Sequence, residues 1–129
     1  MIVYKSTDQN IELRIIGYDE PNNGRELHVA ELYMNGKNCS EKYFINQWNR
    51  LNFNLDEFQF ESKNQKHVFI PAEGYSFVIN CEDFSVIYTD FKGLSTVQFL
   101  KNKFSEDKLQ LFYKDEIVEI HLLGDLEKE

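Results

Sequence analysis

The chain predicts a mainly β fold: a single-domain antiparallel β-sandwich or partly closed barrel, crossed by one amphipathic helix over about residues 41–51. Three observations point there. Aromatic residues make up 15% of the 129 positions, with 11 Phe and 7 Tyr against one Trp. Large rings and β-branched side chains suit a pleated surface. Between Lys66 and Phe91 the chain is at its most apolar, in three short runs around Val68-Phe69-Ile70, Tyr75 to Ile79 and Phe84 to Tyr88. Pro71-Ala72-Glu73-Gly74 and Asn80-Cys81-Glu82-Asp83 punctuate them, as turns punctuate successive antiparallel strands. Finally, no βαβ rhythm, 20–50-residue repeat or linker interrupts residues 1–129, which therefore read as one domain. The alternative architecture is an α+β sheet with helices on one side.

The elements follow in order. Ile2 to Lys5 is a short opening strand, and Ile11, Leu13 and Ile15 alternate with Glu12 and Arg14 as a half-buried strand. Asp19 to Gly24 is a polar reversal centred on Asn23-Gly24. Arg25 to Met34 returns, with His28, Ala30, Leu32 and Met34 on one face, and Asn35-Gly36 turns again. Phe44, Trp48 and Leu51 then fall at helical spacing, with Ser40 as a candidate N-cap and Glu41 in the first turn. Alternation resumes over Asp56 to Ser62, with Phe58 and Phe60 on one side, and Lys63 to Lys66 leads into the apolar centre.

Residues 94–104 fit either period. Strand is favoured, because β partners flank the segment. Leu109, Leu111 and Tyr113 form the next strand, Lys114-Asp115-Glu116 turns, and Val118, Ile120 and Leu122 run back with Ile117, Glu119, His121 and Leu123 on the other face. The charged tail, 124–129, is expected to fray.

The formal net charge is -8. Residues 1–65 carry 7 basic and 10 acidic side chains, and residues 66–129 carry 7 and 12. Such a field repels nucleic acid and anionic membranes and attracts a basic protein. The N-terminus shows no secretory leader, and no run approaches the length of a membrane span. A cytoplasmic setting is expected, with Cys39 and Cys81 as reduced thiols and no cofactor.

The motifs of catalysis are missing or incomplete. His28, His67 and His121 stand apart; Glu26 with His28 and Glu119 with His121 could offer two ligands each, short of a metal site. Asp19 to Gly24 resembles a calcium loop only until Pro21 occupies its third position and Ala30 its twelfth. Cys39 precedes a helix start that would lower a thiol pKa, whereas Cys81 is followed by two acids. Ser105 to Lys108 matches Ser-x-x-Lys without the companion motifs, and the six glycines form no phosphate loop.

A recognition surface remains. Asp56, Glu57, Glu82, Asp83, Asp115 and Glu116 fall at strand ends or turns, where loops of a sandwich gather. The expectation is a non-enzymatic protein whose acidic surface meets a basic macromolecular partner, in the manner of an inhibitor or immunity protein. One alternative is a small hydrolase or ligand-binding barrel using Cys39 or a carboxylate. The other is a carbohydrate-binding or structural module, marked by an exposed row of Tyr.

Overall fold

The computed structural model describes residues 2–22, 25–44, 50–52, 55–73, 75–89, 99–114 and 116–122. They form three antiparallel sheets and one short helix, an open sandwich-like arrangement with no closed barrel. The first sheet holds β1 (Ile2–Lys5), β2 (Ile11–Asn22), β3 (Arg25–Met34) and β4 (Lys37–Asn38) in that order, with β5 (Arg50–Asn52) also paired to β3. The second runs β6 (His67–Ile70), β7 (Phe77–Asn80), β8 (Val86–Tyr88). In the third, β10 (Lys108–Tyr113) lies between β9 (Phe99–Phe104) and β11 (Glu116–His121).

The apolar centre expected from the sequence is the centre of the molecule. All four residues of β6 and three of the four in β7 are buried. Aromatic rings pack on both faces of this pair. Phe69 meets Phe58 and Phe99 at ring distances of 6.2 and 5.8 Å on one side. Phe77 meets Phe44 and Tyr88 at 5.8 and 5.2 Å on the other. Leu13, Leu32, Leu109 and Leu111, all fully buried, join the same apolar cluster from the first and third sheets.

The expected helix over 41–51 is one turn, α1 (Ser40–Tyr43). Arg50 and Leu51, assigned to that helix by the spacing of Phe44 and Leu51, belong with Asn52 to strand β5; Trp48 lies outside the described residues. The reason is backbone pairing. Leu51 sits opposite His28 of β3 and bridges Ala72 on its other side, while Asn52 N–H donates to the Pro71 carbonyl. Buried Leu51 thus earns its place by joining the first sheet to the second, and the largely buried Arg50–Glu73 ion pair (2.7 Å) reinforces the seam. Ser40 is the first helical residue, not the cap: its Oγ accepts from Leu32 N–H and donates to Asn38.

Other boundaries contract. Residues 55–57 form a single 3-10 turn, and of the strand expected over 56–62 only Glu61 makes a bridge, to Val68. Phe84 belongs to a turn with φ of 60°, leaving Val86 to Tyr88 as strand. Strand is the state adopted over 99–104; residues 94–98 and 124–129 lie outside the described set. In β2 a bulge at Ile16 shifts the register against β3.

One turn construction occurs twice. Ser6 N–H donates to Ile11 carbonyl, Gln9 N–H to Ser6 carbonyl, Ser6 Oγ–H to Asp8, and Ile11 N–H back to Ser6 Oγ. Ser62, Asn64, Gln65 and His67 repeat every one of these bonds. Gln9 and Gln65 both adopt the left-handed region, at φ of 65° and 63°. The serine oxygen and the Asx carboxyl or amide oxygen satisfy main-chain donors that the turn would otherwise strand.

The third sheet is tied to the rest through side-chain amides. Asn102, 2% exposed, accepts from Gln59 N–H (2.9 Å) and donates to the Gln59 carbonyl (2.8 Å). Gln59 Oε1 accepts from Phe104 N–H, and Asn52 Oδ1 from Phe99 N–H.

Two stability measurements test this reading. Asn102→Ala strands both main-chain groups of Gln59, and we expect a loss of about 2–4 kcal/mol in urea unfolding. Gln9→Gly and Gln65→Gly relieve left-handed strain at the cost of a looser unfolded chain, and each is expected to gain about 0.5 kcal/mol, by a matching amount.

Candidate functional site

The hairpin topology decides which acids meet. The turn 6–10 reaches residues 61–66 directly: Thr7 donates from its N–H and its hydroxyl to the Glu61 carboxylate at 2.9 and 2.7 Å. Turn 81–85 joins through Cys81 N–H, which donates to the Lys66 carbonyl. Turn 105–107 completes the end, since Lys63 and Asn64 line one shallow groove with Phe104, Ser105 and Glu106. Four turns therefore converge, bringing Asp8, Glu61, Glu82, Asp83, Glu106 and Asp107 to one end, with Lys63 and Lys66 among them. Except for half-buried Glu61, all of these are exposed.

These carboxylates divide by role. Asp83 accepts from Ser85 Oγ–H and N–H, which holds its carboxyl below the usual range. Asp8 is lowered by the Ser6 hydroxyl and then the Asn10 N–H. Both fasten their own turns. Glu82 and Glu106 point to solvent, with no side-chain bond to any described residue.

Of the six residues singled out from the sequence, only Glu82 and Asp83 belong to this end. Asp56 and Glu57 line a groove of about 430 Å³ with Lys101, Lys103, Gln110 and Phe112, where the lysines offset their charge. Glu116 opens β11, opposite Tyr113, at the far end of the third sheet; Asp115 lies outside the described residues. Asp8, Glu61, Glu106 and Asp107 were passed over. Their signal was present: each borders a Ser-initiated reversal at Ser6, Ser62 or Ser105.

The thiols are unsuited to nucleophilic work. Cys39 is half-buried, its Sγ lies 3.4 Å from the Leu32 carbonyl, and desolvation raises its pKa against the opposing charge of Lys42. Its surrounding groove is lined by Lys37, Asn38, Glu41 and Lys42. Cys81 is buried, and desolvation followed by the charges of Asp8 and Glu61 pushes it up to about 12. A thiolate at neutral pH is excluded there. Among the described residues no three His, Cys, Asp or Glu side chains converge as metal ligands, and no helix is long and apolar enough to cross a membrane. His121 is exposed, while Glu119 is engaged by Lys108 Nζ (3.3 Å) and Gln110 Nε2 (2.9 Å).

His67 is the unusual group beside the acidic end. It is 6% exposed, its Nδ1 has no hydrogen-bond partner among the described residues, and it starts β6 opposite Asn80. Burial first, and Lys66 second, lower its pKa against the opposing pull of Asp83. The folded state thus resists a proton that the unfolded chain accepts near pH 6.5. Stability is lost as pH falls below about 6.5 towards the depressed folded value. We expect His67→Leu to shrink the drop in urea midpoint between about pH 7.5 and 5.5 relative to the parent chain.

No family model, curated protein or solved structure matches this chain.

Proposed function

We propose that this protein is a non-enzymatic binding protein whose acidic turn end receives a basic macromolecular partner, as an inhibitor or immunity protein does. The observation that carries the reading is the convergence of Asp8, Glu61, Glu82, Asp83, Glu106 and Asp107 from four separate turns. Three of the four turns are pinned by their own side chains, and turn 105–107 is closed by the main-chain bond from Ser105 N–H to the Lys108 carbonyl, which favours a preformed rim of carboxylates. Preorganised charge of this kind steers an oppositely charged partner and lowers the ordering cost of docking. The net charge of -8 acts in the same direction at longer range. The raised pKa values of both thiols favour this over the hydrolase reading.

Glu82→Lys with Glu106→Lys reverses two exposed charges without touching the bonds that close the turns. Capture from the source cells at about 50 mM and about 500 mM salt, with parent and double variant as baits, tests the proposal. A basic protein retained by the parent at low salt, released at high salt and lost by the variant is expected. A neutral or acidic partner, or retention indifferent to both salt and variant, overturns it.

A further inference from the structure

The main-chain edges of this fold are treated unequally. β1 is only four residues long and ends in Lys5, and its Tyr4 packs on Phe58 and Phe60 at ring distances of 5.0 and 5.7 Å. The outer edge of β9 is capped by Asn52 Oδ1 and Gln59 Oε1, which accept from Phe99 and Phe104 N–H. β11 is different. Among the described residues its one neighbour is β10, with six regular pairs from Glu116–Tyr113 to His121–Lys108 and no bulge. It contains neither proline nor lysine, and Ile117 is 56% exposed. Among the described residues no bulge interrupts this edge and no other strand pairs with it, and the carboxylates it carries are those of Glu116 and Glu119.

The hydrogen-bond phase of this edge follows from the ladder. Leu122 N–H donates to the Asp107 carbonyl. In an antiparallel pair the bonded positions alternate, so Glu116, Val118 and Ile120 turn their main-chain groups to β10. Ile117, Glu119 and His121 turn theirs outward. The same three residues have exposed side chains, on the face opposite buried Ile120.

We infer that β11 is a strand-addition site that takes an extended segment of a basic partner, with a lysine or arginine opposite Glu119 and an apolar residue opposite Ile117. Main-chain bonds supply the affinity of such a pairing, and alternate side chains supply its selectivity. Charge selects this occupant over a second copy. Each chain carries -8, and self-pairing centred on Glu119 would set two carboxylates directly opposite one another. The inference rests on the reading of a basic partner but concerns a surface distinct from the four-turn end.

The test uses the full chain and a defined probe, the acetylated and amidated peptide Thr-Lys-Thr-Ile-Thr-Lys-Thr-Ile-Thr-Lys, with a control carrying Glu for every Lys. Amide hydrogen exchange is followed residue by residue. The lysine peptide is expected to slow exchange at Ile117, Glu119 and His121 by about tenfold or more, leaving Val118 and Ile120 unchanged. Ile117→Lys with Glu119→Lys should abolish the effect, whereas Glu82→Lys with Glu106→Lys should not, which separates this site from the four-turn end. Four results overturn the inference: no slowing, equal slowing by the Glu peptide, full protection of these amides in the free chain, or protection that grows with protein concentration without peptide.

Discussion

The carboxamide of Asn102 takes the place of a neighbouring strand, and the assembly of the third sheet depends on it. Its oxygen and nitrogen bond both main-chain groups of Gln59, the pattern a residue in a ladder would offer. Among the described residues the third sheet shares no backbone ladder with the other two. A buried, planar, two-way amide has narrow geometric tolerance, so it also fixes how the sheet lies against the body. The rings of Phe69, Phe99 and Tyr113 then pack in one train behind it, at 5.8 and 5.7 Å. Apolar area supplies the drive in this core, and the amide supplies the alignment.

The same economy governs the first seam. Leu51 is apolar enough to belong on either a helix or a strand, and its spacing from Phe44 fits a helical face. Its outcome is set by two partners distant in sequence, His28 and Ala72. No local period encodes that. The strands β6, β7 and β10 were legible because their burial repeats along the chain itself: continuous for β6 and β7, alternating for β10. Asn102 was illegible for a related reason. Standing between Lys101 and Lys103, it reads as a solvent position, and only a bond to Gln59, far back in the chain, explains its burial. For the candidate site, turn chemistry marked Glu82 and Asp83. Which turns share an end depends on strand order, so the joining of Asp8, Glu61 and Glu106 to them could not be read from spacing.

Polar side chains on this fold are spent largely on structure. Ser6, Ser40 and Ser62 close main-chain gaps, Asp8 and Asp83 brace turns, and both thiols are held protonated by their surroundings. His67 is kept neutral by burial beside the acidic end. Among the described residues the solvent-facing groups include the carboxylates of Glu82, Asp83, Glu106 and Asp107 and the outer side of β11.

The paired turns at Ser6 and Ser62 have a consequence for how such a protein changes over time. Their fastening residues point into the loop, while Thr7 and Lys63 occupy the same slot and bear none of the closing bonds. That slot already holds a hydroxyl in one copy and a cation in the other. Substitution at Lys63 leaves its own turn closed, whereas the Thr7 slot also carries the two bonds to Glu61 that tie one turn to the other, so the two copies differ in what they tolerate.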